Sequence, residues 1–230
     1  MSDAHAAAGA LAARALLWIV LAGAGAMLAT AVLSLPEDGL GLADETLADL
    51  GRTGVEHPVT AVLMNYRAYD TLLEMAVLFL ALVGVWSMAE ARPRPTAPPG
   101  LVLQFLTQLL VPFLILFAGY LLWAGAHEPG GAFQAGAVLA AAGVLVTLSG
   151  AQLPSVPRAL HRSLLLLGLV TFAAAGVAVQ LGGGAFLEFP PSAAKALILA
   201  IEAAAGISIG LGLVAIFEGG RPSEPESAPR

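Results

Sequence analysis

The sequence predicts an all-α integral membrane protein with about six transmembrane helices. Hydrophobic residues make up 58% of the 230-residue chain and charged residues only 11%, whereas a soluble domain carries about 25% charged residues. Several uncharged runs approach or exceed the roughly 20 residues that a membrane-spanning helix needs. These runs are uniformly apolar and do not alternate as the strands of a membrane barrel do.

The predicted spans cover residues 15–35, 70–89, 101–126, 132–157, 163–187 and 196–217. The second run reaches spanning length only if it includes Asp70, Thr71 and Glu74, and the sixth contains Glu202. The first run could instead be a signal peptide, because Ala29-Thr30-Ala31 resembles a cleavage site. Its length exceeds the 7–15 apolar residues typical of signal peptides, which favours a span.

Basic residues lie mainly on one side of this six-span arrangement. That side holds Arg14, Arg92, Arg94, Arg158, Arg162, Arg221 and Arg230. The other side keeps only Arg52, Arg67 and Lys195. Since cytoplasmic loops are enriched in Lys and Arg, both termini are predicted to be cytoplasmic, and the acidic loop before the second span is predicted to face outward.

A proline-rich segment at residues 91–100 divides the chain into two predicted modules. Residues 1–95 form a two-span module and residues 96–218 a four-span module. Residues 219–230 are polar and are predicted to be a disordered tail.

Composition and motifs exclude several functions. The net charge is −6 and no basic run could neutralise phosphates, which argues against nucleic acid as a partner. The chain has no cysteine, and it contains neither a paired-histidine metal motif, a nucleophilic triad nor a nucleotide-binding glycine loop. We therefore expect no enzymatic activity, no cofactor and no metal site.

Charged side chains inside a membrane mark functional sites by default, and residues 65–74 supply the first group. On one continuous helix, Arg67, Asp70 and Glu74 would share a face, with Thr71 beside them. One interpretation is an interfacial anchor in which Arg67 pairs with Asp70 at the helix N-terminus. Glu74 lies about 6 Å deeper, which favours a functional or inter-subunit contact there.

Lys195 and Glu202 form the second group, seven residues apart on one face of the last span. Glu202 is nearly two turns from the start of that span. It is either a group on a proton or cation path, or a residue that faces a partner subunit and pairs with a basic side chain there. Both interpretations remain open from the sequence.

A turn between the third and fourth spans carries the third group. Its candidate residues are His127, Glu128, Pro129, Gly130, Gly131, Phe133 and Gly136. The Pro-Gly-Gly sequence favours a tight re-entry into the membrane. We interpret it as a structural turn or a docking element, with direct chemistry as the alternative.

Residues 125–136 resemble the glycine turn G-H-x-x-P-G-G-G-F-x-G-G of the B subunit of multisubunit Mrp-type cation/proton antiporters, with alanine replacing two of the glycines. Residues 65–74 resemble the motif D-F-R-G-F-D-T-x-x-E, which occurs at the C-terminal end of the Mrp A subunit and in an E-type subunit of membrane-bound hydrogenases. Arg67, Asp70, Thr71 and Glu74 match that motif. The order is that of two neighbouring subunits fused in one chain.

The resemblance implies a subunit of an Mrp-type Na⁺/proton antiporter in a bacterial inner membrane. Its expected partners are the A, C, D and small subunits together with lipid, and the transported ions are Na⁺ and H⁺. Glu74, Glu202 and Asp70 are the candidate ion-path or buried polar residues. The alternatives are the same membrane module in a redox-driven, hydrogenase-like complex, and a purely structural scaffold subunit.

Overall fold

The computed structural model describes residues 2–34, 42–88, 100–150 and 157–219. Within these residues, eight α-helices form the framework: α1 (Ser2–Leu33), α2 (Leu42–Ala48), α3 (Pro58–Ala61), α4 (Ala68–Met88), α5 (Leu101–Ala124), α6 (Ala132–Leu148), α7 (Arg158–Leu181) and α8 (Pro191–Glu218). The predicted linker at 91–99 and nearly all of the predicted tail lie outside the described residues.

The prediction of an all-α membrane protein is confirmed. In the part of the chain that the structure describes, five helices are long and apolar enough to cross a membrane: residues 14–33 of α1, and α4, α5, α7 and α8. The sixth, α6, is apolar but has only 17 residues. It ends at Leu148, before the predicted boundary at 157, and Gly150 follows with a left-handed φ of 65°, a conformation that glycine adopts without steric cost. The orientation in the membrane stays a prediction.

The chain forms two compact units, Met1–Glu45 and Thr46–Arg230. The first unit contains α1, whose side chains are exposed from Arg14 to Leu33. The boundary predicted near residue 95 concerns the fusion of two subunits. The division into compact units does not test it, and it stays a prediction.

The core of the second unit is built around α8. This helix packs against α6, α7 and α4, and 56% of its most apolar stretch is buried, compared with 11% for α5. Small residues make the packing close: a Cβ added to Gly136 on α6 would lie 2.7 Å from the Ile209 Cγ2 atom on α8. Dense small-residue packing of this kind is how membrane helices approach each other.

The helix that leads into the second span is interrupted. A π-helical segment, Val62–Tyr66, joins α3 to α4, and Arg67 between them has φ −122° and ψ 33°. The hydroxyl of Thr71 donates a 2.7 Å hydrogen bond to the Leu63 carbonyl, and so satisfies an acceptor in the interrupted segment. The expectation of one continuous helical face is therefore wrong for Arg67, which precedes α4.

Candidate functional site: a buried carboxylate at the start of α6

Glu202 lies in the core of the second unit, with only 5% of its surface exposed. A backbone hydrogen bond links its side chain to Ala132, the first residue of α6. The other carboxylate oxygen, Oε2, has no hydrogen-bond partner among the described residues. The carboxylate thus serves the N-terminus of α6, where the unsatisfied N–H groups and the helix dipole favour negative charge.

Gly131 allows this approach. It precedes α6 with a φ of 112°, a conformation that residues with a Cβ rarely adopt. A Cβ at this position would also lie 2.8 Å from Glu202 Oε1. A larger residue would therefore force the carboxylate away from the helix N-terminus.

The rest of the glycine turn is hydrogen-bonded to the C-terminal end of α5. The N–H groups of Gly125 and Gly131 both donate to the Leu121 carbonyl, at 3.1 and 2.9 Å. A Cβ added to Gly125 would lie 2.6 Å from the Gly131 nitrogen, and one added to Gly130 would collide with the Leu121 carbonyl oxygen. The resemblance to a glycine-rich turn thus has a steric basis in this chain.

The segment before α4 holds the turn from its other side. The Thr60 hydroxyl donates a 2.5 Å hydrogen bond to the Gly125 carbonyl, and the Glu56 N–H donates to the Ala126 carbonyl at 3.4 Å. The turn predicted as a docking element therefore packs within the chain itself. Its role in docking a partner subunit stays a prediction.

A cavity of about 40 Å³ lies beside Glu202. Its lining comes from the segment before α4, the start of α4, the glycine turn, α7 and α8. The polar or turn residues among the lining are Thr60, Thr71, Gly130, Gly131, Gln134 and Glu202. The apolar remainder includes Met75, Phe133, Phe172 and Ile201. The three groups of residues that the sequence singled out each contribute to this one cavity.

Residues 102–220, slightly more than half of the chain, match a family model described as "Domain related to MnhB subunit of Na+/H+ antiporter". The chain belongs to the MnhB-related family. The matched region contains α5 to α8, and therefore Glu202 and the glycine turn. Thr60 and Thr71 lie outside it, in the N-terminal part of the chain.

Two solved structures resemble this MnhB-related chain as a whole. One is a chain of the membrane-bound sulfane sulfur reductase, described as an archaeal respiratory membrane complex, with 26% identity and a TM-score of 0.67 over 89% of this chain and 96% of that one. The other belongs to the Mrp complex from Dietzia sp. DQ12-45-1b, with 22% identity and a TM-score of 0.64. It shares the fold over 93% of this chain, which spans 27% of that longer chain. No curated protein matches significantly.

Glu74 does not reach the cavity. It lies exposed on the outer side of α4, and within the described residues no hydrogen bond or ion pair involves its side chain. Asp70 pairs with the Arg67 guanidinium, as the interfacial-anchor interpretation expects. Of the carboxylates predicted from the sequence as candidates, only Glu202 is buried.

Lys195 lies in a polar cluster with His127 and Glu56. Its Nζ atom lies 3.1 Å from His127 Nε2 and 3.9 Å from Glu56 Oε1. His127 Nε2 is in turn 3.8 Å from the Glu56 carboxylate. This cluster joins the segment before α3, the glycine turn and the start of α8, while Glu128 and Pro129 beside it are exposed.

Sequence reasoning missed Glu56, Thr60 and Gln134. Glu56 is one of several acidic residues in the first loop, and nothing in the sequence distinguishes it from the others. Thr60 and Gln134 are uncharged, so they do not stand out as charged residues in a predicted span do. Their roles depend on contacts over long sequence separations, such as the 65 residues between Thr60 and Gly125. A single sequence carries no signal for such contacts.

Proposed function

We propose that this chain is a membrane subunit of a multisubunit monovalent cation/proton antiporter of the Mrp type, and that Glu202 is its contribution to the proton path. The family match supports the first part. The observation that carries the second is a carboxylate with 5% exposure whose Oε2 atom has no partner among the described residues. A charge buried in this way must be neutralised by a proton, an ion or a partner.

The geometry allows Glu202 to take up and release a proton without dismantling the site. The Oε1 atom accepts the hydrogen bond at the start of α6. The Oε2 atom has no partner among the described residues, and the side chain that carries it lines the cavity. A proton on Oε2 removes the buried charge and leaves the contact of Oε1 with Ala132 in place. The chain itself catalyses no covalent reaction in this proposal and needs no cofactor or metal centre.

The proposed setting is a bacterial plasma membrane, with the other antiporter subunits as partners and Na⁺ as the exchanged cation. The similar structures support a membrane complex as the setting because each belongs to one by its description; the bacterial membrane and Na⁺ are parts of the proposal. This chain would supply packing surface and one carboxylate, while the partner subunits would carry the main proton channels.

A second candidate is the same subunit in a redox-driven complex. It is favoured by the 26% identical chain of a respiratory membrane complex, of which 96% is covered. In that setting the fold and the cavity would be the same, and the partners would carry the redox centres. In a third, purely structural interpretation, Glu202 only caps α6.

The subunits that accompany the chain distinguish the first two candidates. We expect an affinity-tagged chain, isolated from its native membrane and analysed by native mass spectrometry, to bring down the subunits of an antiporter. Vesicles containing that complex should exchange Na⁺ for protons, and vesicles from a strain lacking the chain should not. Co-purification of hydrogenase or reductase subunits would favour the second candidate and contradict the first.

A further inference from the structure

Three of the four polar side chains that line the Glu202 cavity act toward it as oxygen acceptors, while the fourth, Gln134, has both an amide oxygen and amide N–H groups. The Thr71 hydroxyl donates its hydrogen to the Leu63 carbonyl at 2.7 Å, and the Thr60 hydroxyl donates its hydrogen to the Gly125 carbonyl at 2.5 Å. A hydroxyl that has donated its only hydrogen can act toward another group only as an acceptor. Glu202 Oε2 adds a third acceptor, without a partner among the described residues.

No Lys, Arg or His side chain is among the residues that line the cavity. Within the described residues, no positively charged side chain in the lining therefore balances the charge of the Glu202 carboxylate. The volume of about 40 Å³ exceeds the roughly 10–15 Å³ that one water-sized probe occupies. The cavity has space for a small cation with one or two water molecules.

The single negative charge of Glu202 indicates the valence of the cation that the cavity would bind. Glu202 supplies one negative charge in a largely apolar surrounding, where any net charge is costly. One proton or one monovalent cation neutralises it, whereas a divalent cation would leave a net positive charge. Carboxylate and hydroxyl oxygens are hard ligands, which suit alkali cations better than soft metals.

We propose that this cavity binds one small monovalent cation, such as Na⁺, between the Glu202 carboxylate and the hydroxyl oxygens of Thr60 and Thr71. The cation binds in exchange for the proton that otherwise neutralises Glu202, so that one charge enters and one leaves. The inference rests on the proposed function in treating Glu202 as an exchangeable group, and it adds the ligand class and the threonine ligands. Because Thr60 and Thr71 lie outside the family-matched region, the two parts of the chain would build the site together.

Equilibrium binding of radioactive Na⁺ to the purified, intact complex tests this site. We expect Glu202→Gln to lower the number of Na⁺ ions bound per complex by one. Thr71→Val keeps the shape of the side chain but removes the oxygen and its hydrogen bond to the Leu63 carbonyl, and in complexes that assemble it should raise the apparent Kd of that Na⁺ at least tenfold. Thr71→Ser keeps the oxygen and should stay within threefold of the wild type.

Glu188→Gln provides a matched control, because Glu188 also accepts a backbone N–H, from Ala185 at 3.1 Å, but lies exposed in the loop before α8. It should leave the count of bound Na⁺ unchanged. In the wild-type complex, binding of this Na⁺ should release one proton per site into a weakly buffered medium. Subunit composition, measured on the same samples, shows which variants assemble.

An equal Na⁺ count in the wild type and in assembled Glu202→Gln complexes would overturn the inference. So would equal Kd values for Thr71→Val and Thr71→Ser, which decide the matter if Glu202→Gln fails to assemble. If Glu202→Gln abolishes antiport while the Na⁺ count is unchanged, Glu202 carries only a proton, and the proposed function stands without the cation site. If the wild-type complex contains no antiporter subunits, the proposed function fails, and the Na⁺ count still decides the inference.

Discussion

Two carboxylates in predicted spans, Glu202 on α8 and Glu74 on α4, have opposite environments. Glu202 is buried beside the N-terminus of α6 and lines a cavity. Glu74 is exposed on the outer side of its helix, and no described residue of the chain pairs with it. A charge within an apolar run is the same signal in both cases, but only the packing of neighbouring helices decides whether that charge belongs to an internal site.

The two carboxylates differ in whether their interaction partners come from this chain or from outside it. Glu202 receives its hydrogen bond and its cavity from this chain. Glu74 can acquire a partner only from another subunit, from lipid or from water. Substitutions around the Glu202 cavity should therefore affect the chain itself, whereas those on the outer side of α4 should act through assembly.

The largest effect is expected from Gly131→Val. The left-handed φ of 112° would cost a branched residue about 1–3 kcal/mol, and displacing the Glu202 carboxylate from 2.8 Å adds an overpacking cost of about 1–3 kcal/mol. The chain should fail to accumulate in membranes, as measured by immunoblotting. Gly119→Val is the control, because nothing lies within 4 Å of a Cβ there. Normal accumulation of Gly131→Val would contradict the described turn.

A moderate effect is expected from Gly136→Ala, at the contact between α6 and α8. The added Cβ would meet Ile209 at 2.7 Å and the Gly206 carbonyl at 3.1 Å, so the two helices must separate, at a cost of about 1–3 kcal/mol. The melting temperature of the full chain in detergent should fall. Gly212→Ala on α8 has open space and should leave the melting temperature unchanged or raise it. Equal behaviour of the two variants would argue against this helix contact.

The smallest effect is expected from Lys195→Met in the cluster with Glu56 and His127. The side chains of Lys195 and Glu56 are largely exposed, at 58% and 72%, and that of His127 is 35% exposed; exposed ion pairs contribute below about 1 kcal/mol. The melting temperature should fall slightly at low salt, and the difference from the wild type should disappear at high salt because exposed charges are screened. A large, salt-independent loss would show that Lys195 has a buried partner.

The sequence was sufficient for the class of fold and for the existence of its spans, because both depend on hydrophobic runs whose length is visible directly. It also identified Glu202, Thr71 and the glycine turn as separate features. It could not show that these features meet, because Gly131 and Glu202 are far apart in the sequence, with α6 and α7 between them. It misplaced Arg67, since a π-helical interruption stabilised by the Thr71 hydroxyl has no signature in hydrophobic periodicity.

The central claim, that Glu202 is an exchangeable carboxylate rather than only a cap for α6, is tested by Glu202→Gln. The amide oxygen can still accept the hydrogen bond at Ala132, so the cap is retained while the titrating group is removed. Na⁺-driven proton movement should be measured in vesicles containing the assembled complex, with Glu188→Gln as the control and subunit stoichiometry determined on the same preparation. The account predicts at least a tenfold loss of antiport for Glu202→Gln, with unchanged stoichiometry and full activity of the control. Full antiport by assembled Glu202→Gln complexes would contradict it and leave Glu202 a structural cap.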